Sequence, residues 1–445
     1  MNFYRTDLRE TVKLAYPVLI GQLGHMMMGV VDSVMVGKIG PAPLAAASIG
    51  NGLFVLILIF GIGVSVAATP LVSIAVGAGR EEESGVIFRQ SLLVNMIMSF
   101  LLALAAYHGA GLIGYLNQPP EVAVQATAYM KTLALSIVPV MLFQTYKQFI
   151  EGLSVVKPAM VVTILANLVN IFGNWVFIFG HLGLPAMGLV GAGWATFLTR
   201  ISMAVALTWY VSGSARFKKF DPTLHYRKFD KQMIKKILRI GVPSGLQYFF
   251  EVGAFAGSAV IIGWLGTAEL AAHQIAINLA SISFMFALSI SGAAAIRVGN
   301  AVGRRDMRKT WDAGISAFIL AGMVMGTFGI IFVSFRYLLP GLYVDDGQVI
   351  NIAGSLLLIA AMFQLSDGTQ AVGLGVLRGM QDTKIPMIFT FLAYWVVGLP
   401  GGYLLGFTFG LGVEGVWLAL LLALSVSAVL MFTRFRIKSR MPIDY

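Results

Sequence analysis

Three carboxylates stand where an apolar sequence should not carry them. Asp32, Glu251 and Asp367 each fall deep inside a long apolar run, and no base adjacent in sequence neutralises any of them. A charge at the centre of a bilayer costs about 2.5–3.5 kcal/mol on insertion scales. A group kept there does something a hydroxyl or amide cannot. It can pass between protonated, cation-bound and substrate-paired states, which is what a coupling site requires. Helical spacing gives each acid polar company. His25, Met28, Asp32 and Met35 share one face, Ser244, Gln247, Glu251 and Ser258 another, and Gln364 lies one turn before Asp367. Asn167, Asn170 and Asn174 form a further stripe, as do Gln274, Asn278 and Ser281. Such stripes must face an interior, because lipid cannot satisfy them. For any single Asn, Gln or Ser, interhelical hydrogen bonding worth about 0.6 kcal/mol is explanation enough. For the acids it is not.

The elements that must position these groups follow from composition. Of 445 residues, 58% are hydrophobic and only 11% charged, and the mean hydropathy is +0.83. Soluble domains carry about 25% charged residues, so the fold class is an all-α polytopic membrane protein. Gly, Pro and charged clusters divide the chain into twelve apolar stretches, near 11–36, 46–74, 88–114, 124–147, 158–180, 189–212, 237–262, 273–299, 311–338, 350–375, 386–408 and 414–434. Each matches the roughly 20 residues a membrane-spanning helix needs. The first is read as a span rather than a cleaved leader, since it is long and holds Pro17 and Asp32. Lys and Arg set the orientation. Of 31, 27 fall on the N-terminal side of the spans, among them Arg216, Lys218, Lys219, Arg227, Lys228, Lys231, Lys235, Lys236 and Arg239 in one linker. Both termini are therefore expected in the cytoplasm. The net charge of +11 is a topology signal, not a nucleic-acid patch. With Cys 0, disulfides, thiolate metal sites and cysteine nucleophiles are excluded together.

The chain repeats itself. Pro17–Gly77 aligns without a gap on Pro243–Gly303, a shift of 226 residues, with 18 identities in 61 positions. The core is Val36-Gly37-Lys38-Ile39-Gly40 with Leu44-Ala45-Ala46, against Ile262-Gly263-Trp264-Leu265-Gly266 with Leu270-Ala271-Ala272. Six spans per repeat insert both halves in one orientation, so the pseudo-twofold axis lies along the membrane normal. The expected organisation is an N-lobe over 1–212, a basic cytoplasmic linker over 213–236 and a C-lobe over 237–445, two pseudo-symmetric six-helix lobes around a central cleft. The acids break the symmetry: Asp32 aligns on Ser258, and Glu251 on His25.

Weaker features surround these. Met26, Met27 and Met28, with Phe249, Phe250, Phe284 and Trp395, could wall a site for flat aromatic cations, although such residues more often pack or face lipid. Asp345-Asp346 could attract cations or form a solvated turn. Gly253/Gly257 and Gly322/Gly326 fit close helix packing. Arg200 could meet a carbonyl, snorkel or line the cleft. There is no G-x-x-x-x-G-K-[ST] loop and no H-E-x-x-H. Gly410-Leu411-Gly412-Val413-Glu414-Gly415 fits G-x-G-x-x-G by letter only, between two spans with no strand before it. No enzyme and no cofactor are expected.

Gly29-Val30-Val31-Asp32-Ser33-Val34-Met35-Val36-Gly37 followed by Leu44-Ala45-Ala46 resembles the first-helix signature of the multidrug and toxic compound extrusion (MATE) family. Glu251, Leu270-Ala271-Ala272-His273-Gln274, Ile296-Arg297-Val298-Gly299, and Asp367 followed by Leu377-Arg378-Gly379 are similar to its NorM branch. The resemblance runs from about residue 10 to 435. It implies two six-helix lobes and export of organic cations in exchange for Na⁺ or H⁺. It places Asp32 in an N-lobe cation site with Asn170, Asn174 and Thr196, makes Pro17 a hinge that bends with that acid's state, and makes Glu251 and Asp367 the C-lobe acids. Asp345 and Asp346 resemble a loop pair that contacts drug in some members. Two departures stand out. Asn174 replaces an Asp of some relatives, and Phe363 replaces a Tyr one turn before Asp367.

The expectation is a rocker-switch antiporter of lipophilic organic cations in the plasma (inner) membrane, with Na⁺ as coupling ion on Asp32, Glu251 and Asp367, and H⁺ as the alternative. The substrate surface is expected at Asp32, Met28, Gln247, Glu251, Asn278, Phe284, Asp345, Asp346 and Asp367. A monomer is expected, because the cleft is complete in one chain, in contact with membrane lipid. The rival readings are a lipid-linked oligosaccharide flippase of a related superfamily, which needs interior bases for a pyrophosphate, an intramembrane enzyme, and a channel.

Overall fold

The computed structural model describes residues 2–220 and 229–441, with side chains from residue 6 onward. Residues 221–228 of the basic linker, with Arg227 and Lys228, and the side chain of Arg5 lie outside the described residues. Among the described residues there are helices and no strand. The α-helices are α1 (Asn2–Gly37), α2 (Pro41–Ser65), α3 (Ala68–Gly77), α4 (Glu81–Gly109), α5 (Pro120–Leu135), α6 (Ile137–Gly152), α7 (Lys157–Phe179), α8 (Gly188–Gly213), α9 (Lys231–Gly263), α10 (Thr267–Gly303), α11 (Met307–Ser334), α12 (Leu338–Gly341), α13 (Gly347–Gly379), α14 (Lys384–Phe391), α15 (Leu399–Tyr403) and α16 (Gly412–Lys438). Among the described residues eleven runs are long and apolar enough to cross a membrane, and α5 with α6, bent by 41°, make a twelfth when counted as one. The chain is a multi-span membrane protein.

The repeat is visible in where helices stop. The ends of α1 and α9, at Gly37 and Gly263, and of α3 and α10, at Gly77 and Gly303, are both 226 residues apart. Gly40 and Gly266 precede α2 and α10 with φ of +134° and +157°. A Cβ would be strained there, which is why the repeated motif ends on glycine in both copies. Pro17 and Pro243 both lie inside continuous helices, α1 and α9. Each removes a backbone hydrogen bond from its helix interior.

By compactness the chain forms two units. One comprises the residues up to Leu19 together with Leu246–Tyr445, the other Ile20–Gly245. Both changeovers fall two residues after the repeated prolines, so α1 and α9 are each divided between the units. The Ile20–Gly245 unit has one core around Phe88, Phe143, Phe149 and Phe217 and another around Phe54, Tyr129, Met130 and Ile178. The second unit has its core around Leu356, Phe363, Tyr394 and Trp417.

In that second unit α13 packs along α10, α11 and α16. The α10 contact is close because Gly375 leaves room for the backbone and hydroxyl of Ser291, whose Oγ donates to Ala371 O at 2.5 Å. Gly253 and Gly257 also behave as packing glycines. A Cβ on either would lie 3.2 Å from Trp395 and 3.1 Å from Leu399. The second expected pair does not: Gly322 has open space, and Gly326 has only Leu365 at 3.9 Å. Spacing marks a face that could pack closely, but not whether a helix lies against it.

Candidate functional site

Each unit gathers one of the sequence-identified acid groups. In the Ile20–Gly245 unit, Asp32 on α1 meets α7 and α8. Asn174 Nδ2 donates to Asp32 Oδ1 at 2.6 Å and Thr196 Oγ1 to Oδ2 at 3.3 Å. Asn174 also donates to Asn170 Oδ1 at 3.3 Å. The four residues Asp32, Asn170, Asn174 and Thr196 are therefore one cluster. Asn170 Nδ2 and Asn174 Oδ1 remain buried without a partner, so the cluster has spare polar atoms. Met28, one turn before Asp32, is buried. His25 sits edge-on to Phe143 at 6.2 Å, with its Nε2 buried and unpartnered.

Arg200 resolves into a definite environment. It lies one turn beyond Thr196 on α8, donates from Nη1 to Ser136 Oγ at 2.6 Å, and holds its guanidinium carbon 5.1 Å above the Phe54 ring. Ser136 is the residue at which α5 gives way to α6. Arg200 is within Coulombic range of Asp32 but makes no ion pair with it. It thus ties the bend of the fourth span to α8. A charge-assisted hydrogen bond is worth about 1.5–3 kcal/mol. Arg200→Met is expected to lower the melting temperature of the purified protein by about 2–5 °C. Arg200→Lys should recover little, because an ammonium cannot stack flat on Phe54. Equal melting temperatures for all three proteins would show that the contact carries no stability.

In the second unit, Glu251 on α9 faces α13. Gln370 Nε2 points at Glu251 Oε1 at 3.4 Å, and Tyr394 donates to Gln370 Oε1 at 2.8 Å. Asp367 lies one turn before Gln370 and within Coulombic range of Glu251. No side chain among the described residues donates a hydrogen bond to Asp367, although it is buried. Gln364, one turn earlier, donates to Ser283 Oγ at 2.9 Å. Gln247 is on the Glu251 face of α9, with its Nε2 buried and unpartnered. Among the described residues no ion pair reaches Asp32, Glu251 or Asp367. Nor do three or more His, Cys, Asp or Glu gather as metal ligands. An inorganic cation here would need neutral oxygens to complete its shell.

The remaining candidates are placed as follows. Phe284 packs against Ala287, Met325 and Ala371. Asn278 is exposed and accepts from Tyr343 Oη at 3.0 Å. Asp345 is exposed. Asp346 caps α13, accepting from the backbone N–H of Gln348 at 2.8 Å and of Val349 at 3.2 Å. Its carboxylate so completes a helix start, which favours an Asp there irrespective of any ligand.

Three groups were not singled out by sequence. Gln370 could have been, since it stands one turn after Asp367 on the same face. Tyr394 carried no signal. Arg378 reads as a loop cation, yet it is 4% exposed in the last turn of α13, with Nη2 3.4 Å from Tyr248 Oη and its guanidinium carbon 5.5 Å above that ring. Each unit therefore holds an arginine near its acids, half-buried Arg200 in the first and buried Arg378 in the second.

A helical membrane protein built from a duplicated unit, with unpaired acids inside each half, is the architecture of a secondary transporter. The sequence profile of the MatE family matches residues 17–176 and 243–404, itself doubled at the repeat spacing, and the chain belongs to that family. It is 35% identical over 446 residues to a probable multidrug resistance protein NorM of Mesorhizobium japonicum, covering 99% of this chain and 96% of that one. It is 34% identical over 450 residues to the multidrug resistance protein MdtK of Yersinia pseudotuberculosis, covering 100% and 98%. Among solved structures, the eukaryotic MATE transporter AtDTX14 matches with a TM-score of 0.90 at 20% identity, over 98% of each chain. A MOP superfamily transporter from Pyrococcus furiosus matches with a TM-score of 0.89 at 21% identity, over 97% of this chain and 96% of that one. At such identity these two speak for the fold alone.

Proposed function

We propose that this protein is a multidrug efflux antiporter of the inner membrane, exporting lipophilic organic cations in exchange for Na⁺, with H⁺ as the alternative driver, and conferring antibiotic resistance. The observation that carries the reading is Asp367, a buried carboxylate on a membrane span with no side-chain hydrogen bond and no ion pair among the described residues. A charge so placed is stabilised only when something positive arrives. Glu251 within Coulombic range, and Asp32 among neutral donors, extend the reading to both halves. Relatives named as multidrug resistance proteins support the cargo class.

In the mechanism, a lipophilic cation enters from the cytoplasm and is held by the acids, with Met28 and Phe284 as apolar contacts. The lobes reorient, with Pro17 as a hinge in the first helix. An external cation then takes the carboxylates, and the drug loses its counter-charge and leaves. Coupling requires only that ion and drug compete for one state. Both termini are cytoplasmic in this scheme, and a single chain is the working unit. The flippase alternative needs bases free to meet a pyrophosphate. Arg200 is already engaged by Ser136 and Phe54, while Arg378 contacts Tyr248 and keeps a buried, unpartnered Nε.

Inverted membrane vesicles test the reading. A lumen loaded with Na⁺ is expected to drive uptake of a cationic dye, and a protonophore should leave that uptake intact. An acid lumen driving protonophore-sensitive uptake would assign the coupling to H⁺ instead. Dye movement indifferent to both gradients would end the antiport reading.

A further inference from the structure

The span over Lys384–Thr408 is not α-helical throughout. Leu392–Gly398 and Leu404–Thr408 are π-helical, on either side of α15. π turns are rare and are frequently found at functional sites. Tyr394 sits in the first of them, fully buried, with its ring 5.9 Å from Phe255. Phe255 is one turn along α9 from Glu251. The π turn therefore delivers a phenol, through Gln370, to the same carboxylate that α9 presents.

The chain Tyr394 Oη, Gln370 Oε1, Gln370 Nε2, Glu251 Oε1 has a property that a simple hydrogen bond lacks. A carboxamide can present either end. Facing an anionic carboxylate it must turn its NH₂ inward, and its oxygen then accepts from Tyr394 at 2.8 Å. Facing a carboxylate that has taken a hard cation, the oxygen is the better end, because it can join the cation's shell. The NH₂ is then directed at Tyr394. A phenol both donates and accepts, so it can hold Gln370 in either orientation. An aromatic without the hydroxyl can hold neither. The 3.4 Å separation from Gln370 Nε2 to Glu251 is long for a charged acceptor, so that end is the loosely held one.

We propose that Gln370 and Tyr394 form a reversible amide switch. When a cation reaches Glu251, the Gln370 carboxamide turns over and contributes Oε1 to it, while Tyr394 changes from donor to acceptor. Gln370 touches the cation, and Tyr394 is a positioning residue. The inference rests on the reading of Glu251 and Asp367 as a cation site. It supplies what that reading lacks, a neutral oxygen where two carboxylates alone do not make a metal-binding group.

The test is binding of radiolabelled Na⁺ to the purified full-length protein, with dye transport alongside. Tyr394→Phe keeps the buried ring and removes the hydroxyl. It is expected to weaken Na⁺ binding by about 5–10-fold, the scale of one net hydrogen bond. The dye concentration for half-maximal transport at saturating Na⁺ should not change. Gln370→Leu should weaken Na⁺ binding as much, and the double variant should add little to either single change, since both remove one device. A purely structural role would instead depress the folded yield and the transport rate at every Na⁺ concentration. Wild-type Na⁺ affinity in Tyr394→Phe, or additive losses in the double variant, would overturn the switch while leaving the cation site standing. Absence of Na⁺ binding by the wild type would remove both.

Discussion

Asp367→Asn is expected to reach the membrane in wild-type amounts and to lose ion-driven efflux by about a hundredfold or more. At 4 Å and an effective dielectric of 20, a unit charge pair is worth about 4 kcal/mol, so removing the charge removes most of the hold on a cation. Folding should be untouched, because no hydrogen bond to this carboxylate is lost. Thermal stability should stay level or rise, as an unpaired buried charge is removed. Asp32→Asn should behave alike for a different reason. An amide there can still accept from Asn174 and can donate to the Thr196 hydroxyl, so its cluster survives without its charge. Dye efflux and detergent-extracted yield, measured together, check both. If both variants retained ion-driven efflux, neither Asp32 nor Asp367 would be handling cargo and the proposed exchange scheme would fail.

The largest stability effect is expected at Gly375. A side chain there must displace the Ser291 backbone, which cannot yield as a flexible side-chain tip could. Gly375→Ala should cost about 1–3 kcal/mol through overpacking, and Gly375→Val should leave little folded protein. Gly322→Ala is the control. It enters open space on α11 and should be neutral or stabilising by up to about 1 kcal/mol through helix propensity. Thermal unfolding followed by size-exclusion chromatography separates them. Equal melting temperatures for the two alanine variants would mean that α10 and α13 can part without loss.

The sequence by itself determined the class, the spans, the duplication and the three acids. The physical reason is the solvent. In hydrocarbon every polar residue is costly, so apolar length counts helices and a lone carboxylate stands out without any coordinates. The repeat was legible because Gly40 and Gly266 occupy backbone geometry that other residues avoid. Helical spacing also put Asp32 on a half-buried polar face and Glu251 on a buried one.

Only the tertiary structure decided which helix stands opposite each face. Periodicity assigns a residue to a side of its own helix, while its partners come from other helices, many of them more than a hundred residues away. Asn174 and Thr196 meeting Asp32, and Tyr394 reaching Glu251 through Gln370, are packing outcomes of that kind. Arg378 looked like a loop charge, because its burial depends on Tyr248 from another helix. Asp346 looked like a candidate ligand, and its local role proved to be a helix cap. The π turn that carries Tyr394 inward left no mark in the hydropathy, because a change of phase in an all-apolar helix exchanges one apolar residue for another.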